Sequence, residues 1–318
     1  MTNLFQWIET LEQKKTEEPS DPRWQIQWKK NEPMSRHTTF RIGGSAALYA
    51  ICGTAESVAW LATACRSRNI RHMILGNGSN VLFPDGGYEG IVISMSALNG
   101  VQIQDTTVTA EAGASLTAVA KLARDAGLTG MEFAYGIPGS CGGAVFMNAG
   151  AYDGEMKNIV TESTYLDSIT GTVHTISAGE HGFGYRESVY REHPEWIVLS
   201  VKLALARGEK EAITAKMEDF MHRRVEKQPL EYPSAGSVFK RYPGRYTAQM
   251  IDEAGLKGMQ VGGAQVSRKH AGFIINTGDA TAADVLELIR IIRERILEKF
   301  HVSIECELIR VEGTAEDA

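Results

Sequence analysis

The chain has 318 residues, 43% of them hydrophobic and 23% charged, with a formal net charge of −6. That length suffices for two or three packed units with a well-buried core, and the mild acidity argues against nucleic acid as the main partner, because neutralising phosphates calls for a basic face. Cys52, Cys65, Cys141 and Cys306 are scattered without CxxC or CxxH spacing, so neither a zinc centre nor a disulfide framework is expected, and the compartment is read as a reducing cytoplasm.

The first thirty residues read as a short amphipathic helix (Leu4, Phe5, Ile8, Leu11) and a polar linker holding Pro19 and Pro22, together an appendage. They contain no apolar core of signal-peptide length, and no run in the chain is apolar enough to span a membrane. Past Thr38, Thr39-Phe-Arg-Ile-Gly-Gly-Ser45 leads into a strand over 46–51. A helix is predicted from an N-cap at Thr54, with Glu56 and Ser57 in its first turn and Val58, Leu61, Ala62 and Cys65 on one face. A strand over 71–75 runs into the turn Gly76-Asn-Gly-Ser-Asn80 and out through Val81-Leu-Phe83. Strands follow at 90–94, 101–104 and 107–111, then a helix from Ser115 to Ala126 carrying Leu116, Val119, Ala120 and Leu122. Residues 163–167 and 171–176 form a predicted hairpin, 196–205 a strand and 212–226 a helix. Pro229 and Pro233 mark a boundary before Ser234-Ala-Gly-Ser-Val-Phe-Lys240. The last helix starts at Thr281, which makes a capping-box-like pair with Asp284, and presents Val285, Leu288, Ile289, Ile292, Ile296 and Phe300. It feeds a final strand over 302–311.

The densest feature is Gly136-Ile-Pro-Gly-Ser-Cys-Gly-Gly-Ala-Val-Phe-Met-Asn-Ala-Gly-Ala-Tyr152, which packs five glycines with Ser140, Asn148 and Tyr152. Glycine is entropically costly, so such a cluster suits backbone that takes positive φ or approaches a ligand closely. With Gly76–Asn80 it makes two glycine-rich turns whose successive N–H groups can form anion-binding concavities, together enough for a diphosphate. Tight hairpins without a ligand are the plain alternative. A Rossmann site is rejected: Gly76 and Gly78 fit, but Val81 holds the third glycine position, the turn leads into strand, and no acidic residue ends the next strand near Met95. Neither turn carries the Gly-Lys-Ser/Thr of a P-loop, which disfavours phosphoryl transfer. Cys141 is read as a small packed residue.

The ordered set Thr39-Phe-Arg-Ile-Gly-Gly44, Leu75-Gly-Asn-Gly-Ser-Asn80, Gly136-Ile-Pro-Gly-Ser140, Asn148-Ala-Gly-Ala-Tyr152, Gly184-Tyr-Arg-Glu-Ser188, Gly236-Ser-Val-Phe-Lys240, Ala254-Gly-Leu-Lys-Gly258 and Gly262-Gly-Ala-Gln-Val-Ser-Arg-Lys-His-Ala271 closely resembles the MurB family of UDP-N-acetylenolpyruvoylglucosamine reductases. The likeness runs from about residue 35 to the last strand. It implies an α+β chain, an FAD-binding fold of the vanillyl-alcohol-oxidase (PCMH) type followed by a C-terminal α+β substrate-binding domain. The implied division is an extension over 1–30, FAD subdomains over 31–83 and 84–206, with the strand at 301–312 returning to the first, and a substrate domain over 211–300.

By the same resemblance FAD is held by Arg41, Gly43, Leu75, Gly76, Asn77, Gly78, Ser79, Asn80, Gly136, Ile137, Pro138, Gly139, Ser140, Gly143, Asn148, Ala149, Gly150 and Tyr152, and NADPH is the co-substrate. Three residues acquire catalytic roles. Ser237 stands where the family carries its proton donor, and Arg186 where an arginine meets the reacting carboxylate, a role suited to a planar permanent charge. Period-two alternation puts Glu305 and Glu307 on one side of the last strand and does not choose between them; the match of Glu307-Leu-Ile309 to the family's terminal pattern selects Glu307. Tyr185, Lys227, Lys240, Arg241, Lys257 and His270 are candidates for holding a UDP-sugar, with Arg245, Arg268 and Lys269 behind them. The short connection between Tyr185 and Trp196 resembles the type II branch, which lacks the substrate-closing loop of the longer branch. The implied protein is a monomeric bacterial cytoplasmic enzyme of peptidoglycan precursor synthesis, with no metal, nucleic-acid or membrane partner. Another FAD-dependent oxidase of the same fold and a non-redox nucleotide-binding protein are the alternatives.

Overall fold

In the computed structural model, which describes residues 2–313, the chain packs as two compact units. The first comprises Met1–Asn31, Ala47–Asn77 and Gly90–Phe220, and the second Glu32–Ala46, Gly78–Glu89 and Met221–Ala318. Residues 78–89 thus pack with the C-terminal unit.

The first unit begins with helix α1 (Thr2–Glu17). Ile8 is fully buried in the main core, and Trp7 stacks on Trp60 with ring centroids 6.0 Å apart. The expectation of an appendage is therefore corrected: this helix closes one side of the core. Helix α2 (Ala55–Ser67) starts as predicted, because Thr54 Oγ1 accepts the Ser57 N–H and Ser57 Oγ accepts the Thr54 N–H. It buries Val58, Leu61, Ala62 and Cys65. A four-stranded sheet runs in the order Ile26–Pro33, Ser45–Cys52, Tyr88–Ser94, His72–Leu75, its last two strands parallel with His72 opposite Ile91. A five-stranded antiparallel sheet runs Thr172–Ser177, Val160–Asp167, Trp196–Ala204, Thr107–Glu111, Val101–Gln104. Helix α3 (Leu116–Asp125) buries Leu116, Val119, Ala120 and Ala123, whereas Leu122 is 45% exposed. Helices α4 (Cys141–Phe146) and α5 (Val189–Glu192) are short, and α6 (Lys210–Lys227) passes into the second unit.

The second unit is built on an antiparallel sheet in the order Ser234–Ser237, Phe273–Asn276, Ala264–Val266, Gln260–Val261. Helix α7 (Thr247–Glu253), not foreseen in the sequence, and α8 (Ala282–Phe300) share its apolar core. The Thr281–Asp284 capping box forms as predicted. Asp85 strengthens that start, its carboxylate accepting the Ala282 and Ala283 N–H groups at 2.7 and 3.0 Å. Only Ile309–Arg310 of the predicted last strand is a strand, paired in parallel with Val81–Leu82. Among the described residues no helix is long and apolar enough to cross a membrane.

Candidate functional site

The two glycine-rich turns meet in the first unit. Asn77 Nδ2 donates to the Pro138 carbonyl at 3.3 Å, and a Cβ on Gly76 would collide with the Ser140 hydroxyl. Glycine at 76 is thus required by turn-to-turn contact, whatever binds there. Gly136 takes φ +83° and donates its N–H to Thr117 Oγ1 at 3.1 Å. The stretch 136–152 contains α4, because Ser140 is an N-cap whose Oγ accepts the Gly143 N–H at 3.4 Å. Ser140 and Leu75 are each 2% exposed, which leaves backbone as their contribution to any ligand. Burial pushes the Cys141 thiol up to about 12, in keeping with a packing role.

Beyond α4 the backbone turns left-handed at Asn148 (φ +40°), Tyr152 (φ +51°) and Asp153 (φ +64°). Asn148 is fully buried, and the Tyr152 ring stacks on Phe220 at 4.5 Å with 12° between planes. Arg186 also takes a left-handed φ of +59°, in a two-residue turn closed by mutual N–H to carbonyl bonds between Gly184 and Glu187. That conformation costs a non-glycine residue about 1–2 kcal/mol, so its surroundings must hold it. Arg186 Nη2 donates to the Gly150 carbonyl at 3.4 Å, and its guanidinium lies 5.0 Å from the centroid of the exposed Tyr185 ring. The turn is therefore joined to the segment Asn148–Tyr152.

In the second unit Arg41 (φ +56°) is exposed, and Gly43 (φ +127°) faces Phe83 so closely that a Cβ would sit 2.6 Å from it. A Cβ on Gly78 would collide with the His37 carbonyl. Asn80, assigned to FAD from the sequence, donates Nδ2 to the Glu307 carbonyl at 3.1 Å. Ser237 follows the left-handed Gly236 (φ +76°) and ends its strand opposite Phe273. The next carbonyl, of Val238, accepts the Glu307 N–H at 2.7 Å. Ser237 and Glu307 thus sit on backbone one hydrogen bond apart. Because 302–308 does not form a regular strand, alternation fails and the two glutamates differ: the Glu305 side chain is 75% exposed and paired with Lys240 at 3.1 Å, while Glu307 is partly buried.

Most candidate substrate cations have protein partners. Lys257 pairs with Asp252 at 2.6 Å, Arg245 with Glu253 at 3.2 Å, and Lys269 donates to the Val225 carbonyl at 2.6 Å. The Arg241 guanidinium lies 5.1 Å from the Tyr246 ring, and that of Arg268 lies against Gly258. Burial lowers the His270 pKa, keeping the ring neutral, and Lys227 ends α6. No sequence motif singles out Glu155, Arg191 or the buried trio in which Ser163 Oγ lies 2.6 Å from Tyr190 Oη and 2.7 Å from His181 Nε2. Each acts on a partner outside its own local motif.

The family model for the C-terminal domain of UDP-N-acetylenolpyruvoylglucosamine reductase matches residues 228–311, and that of an FAD-binding domain matches 46–177. A curated UDP-N-acetylenolpyruvoylglucosamine reductase from Caldanaerobacter subterraneus subsp. tengcongensis is 49% identical over 87% of this chain and 91% of its own. The chain belongs to the UDP-N-acetylenolpyruvoylglucosamine reductase family. Another such reductase, from Limosilactobacillus fermentum, is 46% identical over 91% of this chain and 95% of its own. The crystal structure of the reductase (MurB) from Thermus caldophilus superposes with a TM-score of 0.75 at 35% identity, covering 90% of this chain and 98% of that one. The α+β fold class, with an FAD-binding domain and a reductase C-terminal domain, is borne out, and the protein is an FAD-dependent oxidoreductase. The residues present fit that cofactor: the matched segment contains both glycine turns, in contact, with small residues presenting backbone as a diphosphate requires.

Proposed function

We propose that this protein reduces the enolpyruvyl ether of UDP-N-acetylglucosamine enolpyruvate to UDP-N-acetylmuramate, with NADPH as electron donor, in bacterial peptidoglycan precursor synthesis. The observation that carries this reading is the juxtaposition of Ser237 and Glu307 across the Val238 carbonyl, in a chain whose relatives bear the reductase name. FAD, held by the turns Gly76–Asn80 and Gly136–Ser140, would supply the hydride-transfer chemistry that links NADPH to the enolpyruvyl double bond. The chain's own residues handle the negative charge then spread over the adjacent carbon and its carboxylate. Arg186 offers a permanent, planar cation to that charge, and Glu307 supports the same species through hydrogen bonding. The Ser237 hydroxyl protonates the carbon; a weak acid serves because it meets a strongly basic centre at close range. Lys227, Lys240, Arg241, Lys257 and His270, with Tyr185, are the candidates for the UDP-sugar. No second dinucleotide motif is present in the sequence, so NADPH and substrate bind in turn, which gives ping-pong kinetics. The connection from Tyr185 to Trp196 holds only the four-residue α5 and a turn, as in the type II branch.

The test begins with a visible spectrum of the purified protein. NADPH should bleach the flavin without oxygen, and UDP-N-acetylglucosamine enolpyruvate should restore the colour. Reoxidation by oxygen alone would favour an oxidase of the same fold. A colourless protein that cannot be reconstituted with FAD would leave a non-redox nucleotide binder.

A further inference from the structure

We propose that Asn148 is a positioning residue for Arg186 and that its side chain does not touch the flavin. The proposal rests on the role given to Arg186 above. A side-chain amide presents two donors and one carbonyl acceptor. In Asn148 both kinds of group are engaged by the protein: Nδ2 donates to the Gly184 carbonyl at 2.9 Å and to Glu155 Oε2 at 3.0 Å, and Oδ1 accepts the Lys157 N–H at 2.9 Å. The residue is fully buried, and its φ of +40° lies where asparagine is one of the few side chains commonly tolerated. One side chain therefore fastens together the start of the Asn148–Tyr152 segment, the segment 155–157 and the first residue of the turn that carries Arg186.

The other flank of that turn is held independently. Arg191 Nη1 donates to the Arg186 carbonyl at 2.9 Å, and Ser188 Oγ donates to the Phe146 carbonyl at 2.8 Å. A left-handed arginine persists where such bonds over-determine it. Releasing Gly184 frees the guanidinium from its place beside the Gly150 carbonyl, and a misplacement of about 1 Å in a catalytic group can cost about 100-fold in rate.

Asn148→Gly keeps the left-handed backbone and removes the amide. Asn148→Asp also tolerates that backbone and keeps the acceptor for Lys157, but turns the Gly184 contact into one between two acceptors. Both are compared with Arg186→Ala and with the double variant Asn148→Gly/Arg186→Ala, all as FAD-loaded protein. Three readouts are taken: flavin content and visible spectrum; the anaerobic rate at which UDP-N-acetylglucosamine enolpyruvate reoxidises dithionite-reduced flavin; and hydrogen exchange of the peptide spanning 184–188. The expected result is a wild-type spectrum and flavin content, reoxidation slowed about tenfold or more, and turn amides exchanging about tenfold faster, the size of one lost hydrogen bond. The double variant should be no slower than Arg186→Ala, because the two residues act as one unit.

Loss of flavin or a shifted spectrum with unchanged exchange would overturn the proposal in favour of direct cofactor contact. Rates that multiply in the double variant would overturn it too, by showing that Asn148 acts without Arg186. If Arg186→Ala is slow while both Asn148 variants are fast, the positioning role alone fails. If Arg186→Ala itself reoxidises normally, the function assigned to Arg186 falls and the proposal with it.

Discussion

Replacing Gly76 by alanine drives a Cβ into the Ser140 hydroxyl, which has little room to yield because Ser140 is 2% exposed and caps α4 through the Gly143 N–H. Overpacking of this kind costs about 1–3 kcal/mol. Turning the hydroxyl away would forfeit the cap, whose loss costs about 0.5–2 kcal/mol, and a bond of 3.4 Å belongs at the low end of that range. Gly76→Ala should therefore destabilise the first unit by about 2 kcal/mol. Ser140→Gly removes the obstacle and, as an N-cap change, costs only a few tenths of a kcal/mol. The double variant should lie within about 0.5 kcal/mol of Ser140→Gly, a coupling of about 1.5–2 kcal/mol. All five tryptophans (Trp7, Trp24, Trp28, Trp60 and Trp196) belong to the first unit, so fluorescence in urea follows that unit selectively. At a slope of about 2 kcal/mol per M the single change moves the midpoint by about 1 M, measured on apoprotein so that FAD binding does not contribute. Equal midpoints for Gly76→Ala and the double variant would refute the turn-to-turn explanation of this glycine. FAD affinity is a separate axis: a double variant that regains stability yet still binds FAD poorly shows that the cofactor also occupies that space.

Ser237→Ala should leave anaerobic flavin reduction by NADPH near wild type while slowing turnover about 100-fold or more, the scale of a lost general acid; equal loss in both half-reactions contradicts its role. Ile8→Ala should cost about 2–5 kcal/mol in the same fluorescence-monitored urea transition, because Ile8 is fully buried; a change below about 0.5 kcal/mol would restore the appendage reading. Burial lowers the pKa values of His72, His181 and His270 from the ordinary 6.5. From there down to the lowered values the unfolded chain binds more protons than the folded one, so stability falls as pH drops through that window and is level above it. A urea midpoint that stays constant or rises between about pH 7 and about pH 5.5 would contradict neutral buried histidines.

What the sequence revealed was what local chemistry encodes. The starts of α2 and α8 were readable because Thr54–Ser57 and Thr281–Asp284 bond within three residues of one another. The glycine turns were readable because their composition fits little else. Features that depend on distant partners were not. The N-terminal helix is defined by contacts such as Trp7 on Trp60, and α4 forms despite Gly142 and Gly143 because its cap and its packing against Ala112 override weak helix propensity. Alternation over 302–311 suggested a full strand, but the backbone there bonds irregularly, Glu305 to Lys240 and Glu307 to Val238, and this separates two glutamates that the sequence could not. The left-handed Arg186 had no sequence signal at all, since no glycine or asparagine stands at its position.

The chain crosses between the two units five times, after Asn31, Ala46, Asn77, Glu89 and Phe220. Neither unit is therefore a contiguous stretch of gene. A fragment spanning 46–177 would carry Gly78–Glu89 away from its partners, stranding Asp85 from the α8 amides and Asn80 from Glu307. Chimeras between relatives that exchange one half must swap three separate segments together, and no single cut of the backbone yields either half whole.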